Sequence, residues 1–168
     1  RDRTCHHAGM SAKSPAFELN TSEDNMSVTE TDELITIASG DLSLEITKLP
    51  WSMTYKHKGR VLSKSGRKGL ALMKTDWKGY AYDKGDYTDT YIRQQLSMGV
   101  GELLYGFGER FTPFVKNGQS IDIFNQDGGT STEQSYKNIP FYVSNKGYGV
   151  FVNHPEKVSF EVGTEMVT

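Results

Sequence analysis

The chain has a single cysteine, Cys5, among its 168 residues, and it has no long apolar stretch. One cysteine excludes an intrachain disulfide and fits a reducing compartment, so we expect a cytoplasmic location. A membrane helix needs roughly 18 uninterrupted apolar residues, and no stretch approaches that length. We therefore expect no membrane partner. The length is sufficient for one domain with a proper core.

The chain also lacks a strong charge of either sign, since its formal net charge is −2. Nucleic-acid partners call for a marked basic bias, so this class of partner is not expected. Residues 56–78 do carry eight Lys or Arg against one acid, Asp76. These positive charges are scattered among Gly and Ser without a set of stacking aromatics, which favours solvated loops and strand edges over an anion-binding patch.

No window of a dozen residues shows a helical stripe, whereas runs of period two recur along the chain. We predict one hairpin from 34 to 47 around Ser39-Gly40-Asp41 and a second around Lys58-Gly59. A third surrounds residues 145–147, and a further strand follows at 158–162. Many short strands with frequent turn signals predict an all-β fold, either a sandwich or a barrel.

Residues 1–25 are polar and patternless, and we expect a poorly ordered lead-in before a β domain that spans 26–168. His6 and His7 stand beside Cys5 without the spacing of a metal-ligand set, so we predict no metal site there. The chain begins with Arg1 and ends directly after a strand-like run. We therefore expect it to be a fragment of a larger protein.

The segment from 99 to 153 is rich in glycine and contains two features of interest. Residues 105–110 lack the Gly-Lys-Ser/Thr ending of a phosphate loop, and we predict a strand that turns sharply, with Glu109 and Arg110 as an ion pair or a hydrogen-bonded corner. Residues 125–136 form a long polar loop between two strand-like runs. Carboxylates and amides next to aromatics suit sugar recognition, although an ordinary loop explains the pattern equally well.

The acids of this segment do not form a catalytic pair. Glu109, Asp122, Asp127 and Glu133 lack the spacing and the apolar shielding that would raise the pKa of one carboxyl and leave the other ionised. Asp122 lies in an alternating run and is expected on the solvent face of a strand. Neither His57 nor His154 stands in a pattern that would bring a histidine and an acid into one cleft. His154 precedes a proline, and we expect a turn residue with a backbone hydrogen bond.

Four blocks in the second half carry a resemblance to a known family. They are YGFGERFTPF at 105–114, GQS at 118–120, FNQDGGTSTEQSYKNIPFY at 124–142 and GYGVFVNHP at 147–155. In this order they resemble the N-terminal domain of family 31 glycoside hydrolases, and within that family the bacterial α-xylosidase branch. The match is close over residues 99–163 and holds only in pattern over 34–98.

The resemblance implies a galactose-mutarotase-like antiparallel β-sandwich that packs against a catalytic (β/α)8 barrel. The two catalytic aspartates of such enzymes belong to the barrel, and this chain has no counterpart of them, so no catalytic residue is assigned here. A sandwich loop of the family contacts the sugar on the leaving-group side. Its acid corresponds to Asp127, and Thr130 is a second candidate for substrate binding. The Gly128-Gly129 pair agrees with the α-xylosidase branch.

The resemblance predicts that the parent protein hydrolyses terminal, non-reducing α-linked xylose, with glucose as the alternative sugar, and that it needs no cofactor or metal. The expected partners are an oligosaccharide or α-xyloside substrate and the protein's own barrel. The resembling enzymes often form multimers, so a homo-oligomer is compatible with the sequence. The competing hypothesis is a stand-alone carbohydrate-binding sandwich without catalysis. By analogy of fold, a mutarotase-type epimerase is a third option, which would need a histidine and an acid in one cleft, and a fold does not determine its chemistry. If a barrel docks here, an apolar face is needed, and its candidates are Phe107, Phe111, Phe114, Ile139 and Phe141.

Overall fold

The structure, a computed structural model, describes residues 15, 17–20, 26–78, 86–125 and 135–164. The described residues form twelve β-strands and no helix, and the strands pair antiparallel throughout. The predicted all-β, antiparallel fold class is therefore confirmed. Contacts between Cα atoms divide the chain into two compact units. Of the described residues, the first unit holds 26–97, and the second holds 15, 17–20 and 98–164.

The first unit consists of a five-stranded sheet and a separate hairpin. The sheet has the order β1-β2-β3-β4-β5, in which each strand pairs with the next one along the chain. The strands are β1 (Met26–Glu30), β2 (Leu34–Ser39), β3 (Leu42–Thr47), β4 (Ser52–His57), β5 (Arg60–Ser65), β6 (Leu70–Lys78) and β7 (Asp86–Gln94). The hairpin of β6 and β7 was not predicted from the sequence.

The two hairpins predicted for this unit are both present. Gly40 and Gly59 have positive φ values of 55° and 78°, which a tight turn requires and glycine adopts without strain. The register aligns Ile37, Leu44 and Tyr55 across three strands, so one face of the sheet is apolar. Leu44 and Met53 on that face are buried.

The second unit is a small sandwich of two sheets. One sheet has the order β11-β10-β8 and the other consists of β12 and β9. Both sheets contribute to a single core, which contains Leu104, Phe107, Ile121, Tyr142 and Val162. The strands are β8 (Leu104–Gly108), β9 (Gln119–Ile123), β10 (Asn138–Ser144), β11 (Tyr148–Phe151) and β12 (Val158–Val162).

Part of the lead-in segment contacts this sandwich. The Asn153 side chain accepts a hydrogen bond from Phe17 N at 2.9 Å and donates one to Phe17 O at 2.7 Å. The rings of Phe17 and Phe151 lie 5.9 Å apart. Phe17 is thus held at the end of β11, while the domain boundary at residue 25 stays a prediction.

Strand β8 ends in a sharp bend, as the sequence predicted for residues 105–110. Gly106, Phe107 and Gly108 have φ values of 117°, 67° and 86°, a left-handed run that residues with a Cβ rarely adopt. A Cβ on Gly106 would lie 2.8 Å from Phe141 O, and one on Gly108 would collide with Lys137 O. Both glycines are therefore required, because the backbone of β8 lies directly against that of β10.

Two glycines with nearly the same φ allow the cost of a steric collision to be distinguished from the cost of a positive φ. Gly108 and Gly147 have φ values of 86° and 85°, but a Cβ on Gly147 would meet no atom within 4 Å. We expect Gly147→Ala to lower the free energy of unfolding by about 1 kcal/mol, and Gly108→Ala by at least about 2 kcal/mol more. Urea denaturation of both variants measures this. Equal losses would contradict the steric role of Gly108.

Candidate functional site

The predicted sugar-contacting loop begins and ends at a fixed base. Asp127 and Thr130, the predicted binding residues, lie outside the described residues, as does Glu133. The described residues on either side of them, Asn125 and Ser135, form a parallel β-bridge. The two ends of the nine-residue segment 126–134 are thus held next to each other.

The amide of Asn138 organises this base. Its Nδ2 donates to Phe124 O at 2.9 Å and to Ser135 O at 2.8 Å, which lie on opposite sides of the loop. Its backbone N donates to Asn125 Oδ1 at 2.8 Å. Arg110 donates to Asn138 Oδ1. Because these groups satisfy one another, the base has a defined geometry.

Arg110 connects the base to the bend of β8. Its Nε donates to Phe107 O at 3.3 Å, and Nη2 donates to Asp122 O and to Asn138 Oδ1. Of the two alternatives left open by the sequence, the hydrogen-bonded corner is therefore present. Glu109 pairs instead with Lys137, at 3.4 Å between Oε2 and Nζ, and both side chains are exposed.

Asp122 lies on the solvent face of β9, as predicted. Its carboxylate accepts from Lys157 Nζ and from Ser159 Oγ, each at 2.6 Å. These two hydrogen bonds hold the pKa of Asp122 below its ordinary value despite partial burial. The group is therefore ionised at neutral pH and engaged within the sheet, which suits a structural role.

A pocket of about 310 Å³ opens beside the bend. Lys116 in its lining is buried, and its Nζ donates to Thr112 Oγ1 at 3.0 Å and to Pro113 O at 2.8 Å. Burial, and then the charge of Arg110, lower the pKa of Lys116. Two residues with cationic side chains, Arg110 and Lys116, thus line the pocket. Among the described residues, those that line it are Gly106, Gly108, Arg110, Thr112, Phe114 and Lys116.

Four of the five residues proposed for an apolar docking face are exposed. Phe111, Phe114, Ile139 and Phe141 are 58%, 78%, 49% and 40% exposed, and we call these four residues the docking surface. Phe107 was predicted wrongly, because its exposure is 0%. Its positive φ turns the ring into the core, where it lies 4.8 Å from the ring of Phe160.

The two described histidines offer no epimerase site. His57 lies in the first unit, 3.9 Å from Asp41 at an exposed turn. His154 lies in the second unit, where its backbone N donates to Val152 O at 3.0 Å and its Nε2 lies 3.5 Å from the exposed Glu156. The prediction of a turn residue with a backbone hydrogen bond therefore agrees with the structure. His6 and His7 lie outside the described residues.

The described residues contain neither a metal-binding group of side chains nor a membrane-spanning helix. Within these ranges no three His, Cys, Asp or Glu side chains are grouped so that they could hold a metal ion. In the same ranges no helix has the length and hydropathy needed to cross a membrane. The Lys and Arg residues of the segment 56–78 belong to strands and turns. Of their side chains, Lys56 pairs with Glu45 and Lys58 with Asp41.

Glu102 is a buried acid that no sequence pattern indicates, and its exposure is 3%. Its Oε1 accepts from Ser144 Oγ and, at 2.7 Å, from Tyr148 OH, and its Oε2 accepts from Gly99 N at 2.7 Å. Burial raises the pKa of Glu102, but the three hydrogen bonds together lower it by more than burial raises it. The pKa therefore lies below its ordinary value. Since three groups of the same unit donate hydrogen bonds to it, the carboxylate of Glu102 stabilises the folded unit.

Comparison with known proteins identifies the family of this domain. The model of the glycosyl hydrolase 31 N-terminal galactose mutarotase-like domain matches residues 4–161. The chain belongs to this family. The match extends well beyond residues 99–163, where the sequence motifs lie, and it confirms the predicted β-sandwich of the galactose-mutarotase-like type.

Individual relatives of this family 31 domain agree with the α-xylosidase branch. α-Xylosidase XylQ of Lactiplantibacillus pentosus is 42% identical over 96% of this chain and 20% of its own length. An α-xylosidase of Emericella nidulans is 45% identical over 97% of this chain and 22% of its own length. The chain therefore spans about a fifth of the length of these relatives.

A solved structure agrees with the fold. A family 31 α-xylosidase from a soil metagenome, complexed with xylose, superposes on this chain with a TM-score of 0.68. The superposition covers 92% of this chain and 24% of that one, at 14% sequence identity. The two proteins therefore share the fold of this domain.

Glu102 leads to a prediction about pH. Since its folded-state pKa is lowered, its contribution to stability is complete above the unfolded pKa of about 4.3 and is lost as the pH falls through the folded pKa. Glu102→Gln turns an amide N–H₂ or a weaker acceptor toward the three donors. We expect it to lower the free energy of unfolding by about 1–3 kcal/mol at pH 7, with a smaller difference below about pH 4.

Urea denaturation across this pH range measures the difference, and Glu109→Gln is the control. Glu109 is exposed, so its substitution should change the free energy of unfolding by less than about 0.5 kcal/mol. A loss in Glu102→Gln that is the same at all pH values would contradict the role of the ionised carboxylate.

Proposed function

We propose that this chain is the N-terminal domain of a retaining α-xylosidase. The observation that carries the proposal is the 42% and 45% identity, over nearly the whole chain, with one bacterial and one fungal protein named α-xylosidase. The substrate would be a terminal, non-reducing α-linked xylose. The test is the activity of the full-length protein on aryl α-xylosides and aryl α-glucosides. A preference for the glucoside would overturn the assignment of xylose.

The carboxyls of the described residues support a non-catalytic role for this domain. A retaining glycosidase needs an acid/base whose pKa is raised, about 5–5.5 Å from an ionised nucleophile. Glu102, Asp122 and Glu161 all have lowered pKa values, each because of hydrogen bonds from neighbouring groups. These groups are suited to holding the fold, and the bond-breaking carboxyls belong to the remainder of the longer protein.

The role of this domain at the active site is to present the loop that contains Asp127 and Thr130. The base formed by Asn125, Ser135 and Asn138 is fixed by hydrogen bonds, and sites on such a scaffold bind with less loss of conformational entropy. A carboxylate can accept hydrogen bonds from two sugar hydroxyls at once. In this proposal Asp127 binds the sugar on the leaving-group side, and Thr130 assists it.

A substitution of Asp127 in the full-length protein tests this role. Loss of hydrogen bonds to a charged group costs about 1.5–3 kcal/mol, so Asp127→Ala should raise KM for an α-xylosyl disaccharide roughly 10- to 100-fold. Activity on an aryl α-xyloside, which has no sugar on that side, should change by less than about threefold. Thr132→Ala, in the same loop, serves as the control.

The outcome that contradicts a binding role is a loss of kcat on both substrates as large as that caused by removal of the nucleophile. Steady-state kinetics with the two substrates distinguishes the two outcomes, because only a binding residue on the leaving-group side affects the disaccharide selectively.

The docking surface is the contact through which this domain would pack on the catalytic barrel. Three aromatic rings and an isoleucine are exposed on this unit, and exposed apolar patches mark interaction surfaces. Tyr105 extends the apolar area, since its ring lies 5.1 Å from that of Phe114. Inter-domain contacts bury such rings at their centre.

If the barrel normally covers this surface, the isolated chain should self-associate through it. We expect the wild-type chain to show concentration-dependent association by sedimentation velocity, and Phe114→Ser with Phe141→Ser to reduce it. Val100→Ser is the matched control, because Val100 is fully exposed in the same unit and lies outside the docking surface. A chain that stays monomeric at all concentrations would count against docking.

A further inference from the structure

Lys116 is an unusual lysine for this chain. It is 4% exposed, and the acceptors that the described residues offer its Nζ are two uncharged oxygens, those of Thr112 and Pro113. An ammonium group has three donors. Lys137 and Lys157 in the same unit are exposed instead, and each pairs with a carboxylate. A positive charge that is buried against neutral oxygens is therefore the exception here.

The surroundings make this charge more costly. Arg110 lines the same pocket, and its charge disfavours the charged form of Lys116. Burial of an ammonium group is unfavourable unless an anion compensates for the lost hydration. An anionic group in the pocket would offset the desolvation of Lys116 and its repulsion from Arg110 together. A neutral sugar hydroxyl would offset neither.

We propose that this pocket binds one carboxylate, and that in the full-length protein this carboxylate is an Asp or Glu side chain of the catalytic domain. The assignment of this carboxylate to a catalytic domain rests on the proposed function. Phe114 lines the pocket and also belongs to the docking surface, so a domain that covers this surface reaches the pocket. Guanidinium and ammonium groups form their strongest hydrogen bonds with carboxylates.

Acetate is the probe for the isolated 168-residue chain. We expect acetate to bind saturably, and at ten times its Kd to raise Tm by about 3 °C, while the neutral isostere acetamide has no effect. Lys116→Met should abolish the response. Lys137→Met, which removes an exposed lysine of the same unit, should retain it. Absence of an acetate-specific rise in the wild-type chain would overturn the proposal.

Because Lys116→Met could fail to fold, a second measurement uses the wild-type chain alone. The ¹³Cε signal of Lys116 in an NMR titration should move with acetate, and its apparent pKa should rise, since a nearby anion favours the charged form. Inorganic phosphate tests the class of anion. Binding of phosphate more than tenfold tighter than acetate would overturn the assignment of a carboxylate.

The full-length protein distinguishes the source of the carboxylate. If the catalytic domain supplies it, the pocket is occupied, and acetate should no longer move the Lys116 signal. Equal acetate binding by the isolated chain and the full-length protein would mean a free anion, which contradicts the proposed source. Hydrolysis of aryl α-xylosides is measured separately, so failure of the carboxylate site and failure of the proposed function give different results.

Discussion

The close approach of β8 to β10 is the constraint on which the second unit depends. At Gly106 and Gly108 the backbone of one strand lies against that of the other with no space for a Cβ, and both residues have positive φ. The residue between them, Phe107, is turned inward to the centre of the core. The chain then leaves the sheet at Arg110, whose side chain returns to the carbonyl oxygens of Phe107 and Asp122. One bend thus determines both the packing of the core and the position of the guanidinium group.

The base of the candidate binding loop follows from the same bend. Arg110 donates to Asn138, and Asn138 in turn joins Phe124 to Ser135 across the start and end of the loop. Ser135 is buried and donates to Glu109 O, so the far end of the loop is tied to the bend as well. A loop on a base of this kind can carry polar groups for a ligand without disturbing the core. Under the proposed function, this arrangement allows the sandwich to present polar groups to a sugar that is cleaved elsewhere in the longer protein.

The parts of the fold that the sequence predicted are those determined by local pattern. Alternation and a turn glycine predicted the hairpins around Gly40, Gly59 and Gly147, because both strands and the turn lie within about fifteen residues. The pairing of β9 with β12 joins residues some forty positions apart, and no local signal encodes it. The β6–β7 hairpin was missed because β6 begins with four consecutive apolar residues, Leu70–Met73, which do not alternate. Phe107 was nominated for the docking surface as one of the apolar residues of the glycine-rich segment, but the positive φ of the bend turns its ring into the core, which residue type alone does not indicate.

The residues of the candidate site also divide into those that the sequence indicated and those that it did not. Asp127 and Thr130 were nominated by resemblance, since the sequence of a polar loop looks the same whether or not the loop binds a ligand. Asn138 and Ser135 were missed because their function lies in hydrogen bonds to backbone atoms of distant residues, which residue type alone does not indicate. Lys116 was missed because it is unusual only in being buried, and burial of a lysine is not visible in the sequence. An exposed lysine beside an aromatic surface requires no partner, but a buried one beside Arg110 does, and the part of the chain that the structure describes gives it only neutral oxygens. Phe114 belongs to the docking surface and also lines the pocket that contains Lys116. A single partner surface that is apolar and carries one carboxylate would therefore cover the exposed rings and compensate the buried charge.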